Sequence, residues 1–246
     1  MHGLPQGTTL NILGLQSLQH LHGADAAVFI QKHDAKPAVG AVALHHGLQA
    51  QRQSGKIFLN GEEIQIRSIQ DAMNHKIAYV PEDRKNLGLN LLDSIRMTIV
   101  SANLKAILTG KLLDSNKELQ AAEQARKDLL IKTSSVDAGV TTLSGGNQQK
   151  VVLGKWLFTQ PEVLILDEPT RGIDVGAKYE IYRLIHRMAD QGKAVILVSS
   201  ELPELLGMSD RIYTICEGSI TGEINSKDAN QEKLMRLMTT TSDVKS

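Results

Sequence analysis

The 246-residue chain is long enough for one large domain, or one and a small one, and its 27 Lys plus Arg balance 27 Asp plus Glu. Zero net charge argues against a nucleic-acid partner bound through a broad basic field, and the single cysteine, Cys216, excludes a disulfide framework and a cysteine-based zinc site while fitting a reducing compartment. No run of 18 apolar residues is present, so no bilayer-spanning helix is predicted, and the start lacks the charged-then-apolar pattern of a secretory signal.

Residues 1–53 carry six of the eight histidines, and the first 50 positions hold only four Asp, Glu, Lys or Arg. No period of 2 or 3.6 runs far in them, so they read as an atypical, poorly ordered segment. A metal site on His20, His22, His45 and His46 is a second reading, weakened because no Cys or carboxylate cluster accompanies them. Next, 56–59 and 63–66 flank Asn60-Gly61, the signature of a β-hairpin. Ser68 is placed to cap a short helix reaching about His75, and 77–80 reads as a strand.

Helical patterns dominate from Leu91 to Ile131, with a break near Thr109-Gly110. A helix is predicted over 147–158, a strand over 163–166, and a helix over about 175–191 that Gly192 terminates. Strands follow at 194–198, 211–216 and 219–224, with helices at 201–206 and 228–238. Alternating strands and helices predict a parallel α/β core, with the helical stretch of about 91–160 as an inserted subdomain. Cys216 ends the apolar run from Ile212 and reads as a buried structural thiol.

Two segments carry chemistry. Val163 to Leu166 is continuously apolar, as in a strand buried on both faces, and Asp167 and Glu168 follow at its carboxyl end. Open parallel sheets place ligands at that edge. One carboxylate there can hold Mg²⁺, directly or through water, and the next can orient an attacking water. The plainer reading is a strand ending in two solvated acids. Ser144-Gly145-Gly146 precedes a helix, so glycines allow close approach of an anion to unpaired N–H groups. Ser144 can cap that helix and also donate to a phosphate oxygen; a cap alone is the plainer reading.

Together these segments resemble the ATP-binding-cassette ATPases over roughly residues 54–240, with 241–246 a tail. Leu143–Lys150 matches the family's signature motif, 163–168 its Walker B strand, 170–174 its D-loop and 79–85 its Q-loop region. Val80–Lys85, Gly172–Tyr182 and Ser199–Glu204 look like the C-terminal cassette of monosaccharide importers, and 132–135 like the xylose and multiple-sugar members. The resemblance implies an α/β, P-loop-NTPase-like cassette core with an inserted α-helical subdomain, using ATP and Mg²⁺. It implies a head-to-tail partner cassette, membrane permease subunits, a sugar-binding protein acting indirectly, and a peripheral place on the cytoplasmic face of a bacterial membrane. Ser144, Gly145, Gly146 and Gln148 would serve a nucleotide held by the partner, with Asp174 coupling the two sites. Asp167 would hold Mg²⁺, and Glu168 and Glu82 would face this domain's own nucleotide.

The sequence also departs from that family. No G-x-x-x-x-G-K-[S/T] loop occurs; the nearest candidate, Gly55-Lys56, is followed by Ile57, and Gly47 lies eight positions before Gly55. The first strands and the phosphate loop are therefore expected to be missing, as a truncated or out-of-frame start would produce. Ser200 stands where hydrolysing cassettes carry a histidine, and Glu82 stands for glutamine. Both substitutions fit the sugar-importer cassette and imply a weak site. Arg84 and Lys85 are either a phosphate or dimer contact or, the favoured reading, a solvated loop. A catalytically inactive remnant acting as a binding or regulatory module is the alternative to a transport cassette. A repair or translation ATPase is disfavoured, since no coiled-coil insertion or basic surface is present.

Overall fold

The computed structural model describes residues 10–13, 26–30, 56–216 and 219–239. These described residues divide into two compact units, one holding those within 1–79, 162–168 and 185–246, the other 80–161 and 169–184.

In chain order, strands β1 (Leu10–Leu13) and β2 (Ala26–Ile30) precede β3 (Lys56–Leu59) and β4 (Glu62–Ile64). The predicted hairpin joins β3 to β4, and Asn60 and Gly61 both take positive φ (53° and 88°) as its tight turn requires. β1 pairs antiparallel with β3, giving the three-stranded order β1-β3-β4. Helix α1 (Ile69–Asn74) starts at Ser68, whose Oγ accepts the Asp71 N–H at 3.1 Å, and β5 (Ile77–Val80) follows.

The chain then forms α2 (Ile95–Val100), a 3₁₀ stretch Ser101–Ile107, and a small ladder of β6 (Leu108–Thr109) with β7 (Leu112–Leu113). The break predicted near Thr109-Gly110 is this ladder's turn, with Gly110 at φ 64°. Helices α3 (Ser115–Asp128) and α4 (Gly145–Leu157) follow. Asp114 caps α3 by accepting the Asn116 and Lys117 N–H groups. Ile95, Ile99, Ala122, Leu129, Val151 and Leu153 are buried between these helices, the core that makes short helices stable.

After α4 come β8 (Val163–Asp167), α5 (Val175–Asp190), β9 (Ala194–Val198), α6 (Leu202–Met208), β10 (Arg211–Cys216), β11 (Ser219–Asn225) and α7 (Gln231–Thr239). Gly192, at φ 84°, ends α5 as the sequence predicts. The larger sheet has the order β11-β10-β2-β9-β8-β5. Its core joins Ile77, Val163, Ile165, Ile196 and Tyr213 to Ile57 and Ile64 of the hairpin. All five residues of β8 are buried, which accounts for its unbroken apolar run.

The expected parallel core is realised only in part. β8 and β9 are parallel, as a strand–helix–strand crossover requires. β2 lies between β9 and β10 and runs antiparallel to both, so β10 keeps the direction of β9. A strand from residues 1–53 was not expected; β2 uses the free edge that β9 and β10 would otherwise expose. Cys216 is half-buried rather than buried, because it is the last residue of β10.

Candidate functional site

The predicted residues fall into two constellations, one in each unit. In the first, Asp167 ends β8 and is only 3% exposed. The Tyr79 hydroxyl, from β5, donates to its Oδ2 at 2.7 Å. This contact fixes the angle of a buried carboxylate at the carboxyl edge of the sheet, where oxygen ligands suit a hydrated cation. Glu168 is also buried and leaves the strand at φ 43°, a left-handed conformation that costs a non-glycine residue about 1–2 kcal/mol. Its N–H donates to the Val198 carbonyl at 2.8 Å, and its Oε1 accepts the Ser200 N–H at 2.7 Å. Neither acid is the solvated strand end of the plainer reading. Ser200 thus meets Glu168 through its backbone, while the residue itself is exposed.

The strand directions decide what surrounds this edge. Asp167 and Ala27 both pair with Val198, whereas Ile30 pairs with Val195 near the start of β9. β2 therefore reaches the carboxylate edge with its first residues and ends at the opposite edge. A phosphate loop is the turn that leaves a strand at the carboxylate edge and enters a helix. Among the described residues, no strand–loop–helix connection of that kind faces Asp167 from β2.

In the second unit, Ser144 has extended backbone angles and starts α4, but its side chain accepts none of the helix's N–H groups. The capping expectation is thereby corrected. The reason is local: the Asn147 side chain reaches back and its Nδ2 donates to Ser144 Oγ at 3.0 Å. The first turn of α4 thus keeps N–H groups uncapped by serine, beside the positive end of a 13-residue helix.

Gly146 is needed for packing, and Gly145 is crowded by the end of a flexible side chain. A Cβ on Gly146 would lie 2.5 Å from the Cβ of Ala177 in α5, and one on Gly145 would lie 2.8 Å from Arg84 Nη2. Arg84 is half-buried, and its Nη1 donates to the Arg171 carbonyl at 3.2 Å, so it braces the turn and is not part of a solvated loop. Lys85 is exposed, as that reading has it. Glu82 is ion-paired with Arg171. Asp174 is exposed and caps α5 by accepting the Ala177 N–H at 3.0 Å. Gln148 points inward, its Nε2 donating to the Val140 carbonyl at 3.2 Å.

Sequence reasoning missed Lys150. It is 1% exposed, and its Nζ donates to the Leu130 carbonyl at 2.8 Å and to Glu180 Oε2 at 2.6 Å. Lys132 reaches the other oxygen, Oε1, at 3.0 Å. These hydrogen bonds, that of Lys150 foremost, hold the Glu180 carboxyl below the usual glutamate range. The pair ties α4 to α5. A lysine followed directly by Val151-Val152-Leu153 on a helix was the available signal that a buried counter-ion exists.

The described residues contain no cluster of three or more His, Cys, Asp or Glu able to hold a metal, and no helix long and apolar enough to cross a membrane. The histidine site weighed on His20, His22, His45 and His46 lies outside the described residues.

The ABC transporter family model matches residues 43–171, just over half of the chain. The chain is 55% identical over 188 residues to the L-arabinose transport ATP-binding protein AraG of Geobacillus stearothermophilus, covering 76% of this chain and 37% of that protein. It is 54% identical over 188 residues to the xylose import ATP-binding protein XylG of Moorella thermoacetica, with the same coverage. It is 50% identical over 186 residues to the ribose import ATP-binding protein RbsA of Bacillus cereus, covering 76% and 38%. The chain thus spans little more than a third of these relatives. Among solved structures it resembles cbiO1 of Clostridium perfringens (TM-score 0.59, 24% identity, 74% of this chain and 70% of that one). It also resembles the ATP-binding cassette MJ0796 in a dimeric, ADP-and-phosphate-bound state (TM-score 0.59, 17% identity, 71% and 74%). Both likenesses concern the fold.

Proposed function

Because this chain belongs to the ABC transporter family, we propose that it is a nucleotide-binding cassette of a monosaccharide importer that completes an ATP site held by a second cassette. One observation carries the reading: the turn 144–146 is fully built in its own unit, whereas β2 meets the carboxylate edge in the wrong direction to lead into a phosphate cradle. The names of the relatives support a pentose-class sugar such as arabinose, xylose or ribose.

In this reading the uncapped N–H groups of the first turn of α4, with the Ser144 hydroxyl, meet the terminal phosphate of a nucleotide presented by the second cassette. Gly145 and Gly146 let the turn pack closely against Arg84 and α5, which keep it in place. Such preorganised donors act on charge in a site that closure dries. Asp174 caps α5 beside the turn and faces the second cassette. Gln148 holds the turn from behind, through Val140.

Asp167, a buried carboxylate at the sheet's carboxyl edge, fits a hydrated magnesium ion, which when bound would neutralise phosphate charge. Glu168 is held by the Ser200 N–H in a position to orient a water, and Glu82 would face this domain's own nucleotide. Ser200 has no imidazole to bridge phosphate and water, so this half's own site stays slow. The chain would act peripherally at the cytoplasmic face of a bacterial membrane, against permease subunits fed by a sugar-binding protein.

The test is ATP turnover by the purified chain. No turnover alone is expected; steady turnover abolished by Glu168→Gln would sink the split-site reading. A second reading, an inactive remnant serving only as a binding or regulatory module, draws on the same direction of β2. Titration separates the two: ATP-dependent association with an intact cassette supports the first, and association indifferent to ATP the second.

A further inference from the structure

The amide of Asn147 has a fixed orientation. Its Oδ1 accepts the Lys132 backbone N–H at 2.8 Å. A backbone N–H only donates, so the oxygen must face Lys132 and the nitrogen must face Ser144. Nδ2 accordingly donates to Ser144 Oγ at 3.0 Å. A hydroxyl that accepts from an amide turns its own proton elsewhere. Ser144 is exposed and does not cap α4, so that proton is available in front of the helix N-terminus.

Lys132 has a second contact besides the one its backbone makes with Asn147. Lys132 is held through its Nζ by Glu180 Oε1 at 3.0 Å, and Glu180 is the carboxylate that also holds the buried Lys150. The contacts Glu180–Lys132–Asn147–Ser144 thus run from a half-buried carboxylate, through an exposed lysine, to an exposed hydroxyl.

We infer that Asn147 is a positioning residue that makes the Ser144 hydroxyl a hydrogen-bond donor to a terminal phosphate oxygen of the nucleotide held by the second cassette. The inference rests on the proposed function. An aspartate at 147 would still accept from Lys132 but could no longer donate to Ser144. It would recruit the serine proton for itself, reversing the polarity of the contact. Position 147 therefore requires both an acceptor and a donor, which asparagine supplies and aspartate does not.

The experiment is a double-mutant cycle read as ATP-dependent association of the full chain with an intact sugar-import cassette. Ser144→Ala and Asn147→Ala are each expected to weaken association about 10-fold, the worth of one charge-assisted hydrogen bond. Asn147→Ala in the Ser144→Ala background is expected to add no more than about 2-fold, because the hydroxyl it orients is gone. Asn147→Asp should be weaker than Asn147→Ala. If Asn147 merely tethers the 132 loop, its loss costs the same with or without the hydroxyl, and the inference fails; it also fails if Asn147→Ala binds like the wild type. No ATP-dependent association of the wild-type chain would instead overturn the proposed function, and this inference with it. Ser144 is exposed, so its alanine variant keeps the fold and carries the comparison.

Discussion

Gly146→Ala tests whether the turn is held by contact with α5. The added Cβ would lie 2.5 Å from the Ala177 Cβ and 3.4 Å from Ile173 Cγ2. Two carbons at the first distance must separate by roughly 1 Å, since carbon contacts optimise at about 3.5–4.0 Å. Ala177 is fixed to a helix backbone and cannot rotate its Cβ away, so α4 or α5 must shift. Overpacking of this kind costs about 1–3 kcal/mol, while replacing a helical glycine by alanine gains up to about 1 kcal/mol. With the full propensity gain subtracted, the net expectation is a destabilisation of up to about 2 kcal/mol. Ala177→Gly alone should cost about 1 kcal/mol of helix propensity. In the double variant the clash disappears and the two propensity changes offset. Gly146→Ala/Ala177→Gly should therefore be as stable as the wild type, more stable than either single variant. Guanidinium denaturation followed by helical circular dichroism measures this. Additive effects, or a Gly146→Ala variant no less stable than the wild type, would refute the claim that this contact sets the turn.

Glu180→Ala strands the Lys150 ammonium and should cost about 3–5 kcal/mol by denaturant unfolding, with Glu180→Ala/Lys150→Met recovering part of it. Lys132→Ala, at an exposed partner, should cost under about 1 kcal/mol in the same assay. Because the Glu180 carboxyl titrates below its usual range, its stabilisation is complete above ordinary glutamate values and is lost as pH falls through the lowered value. The wild type should accordingly lose stability on acidification more steeply than Glu180→Gln, as denaturation midpoints against pH will show. Gly145→Ala, whose Cβ would meet Arg84 Nη2, should destabilise the wild type and be better tolerated in an Arg84→Ala background, measured as melting temperature.

Local signals made much of the fold legible. Asn60-Gly61 announced its hairpin, Ser68 its helix, the apolar run 163–166 its buried strand, and Gly192 the end of α5, because each is decided within a few residues. The two constellations were legible as motifs for the same reason. What was not legible depended on distance or on competition. Ser144 looked like a cap, yet Asn147 three residues later takes its hydroxyl instead. Arg84 read as loop because its partner, the Arg171 carbonyl, lies 87 positions away. The Lys150–Glu180 pair joins two helices 30 positions apart. The direction of β2 is a property of sheet order, which no short pattern of residues encodes.

In the proposed function this chain finishes another cassette's ATP site and does not fill its own. Equilibrium dialysis with labelled ATP, on the chain mixed with an intact sugar-import cassette, counts nucleotides in the closed pair. One ATP per pair is expected, dependent on Ser144. Two ATP per pair, or one that survives on the isolated chain, would contradict it.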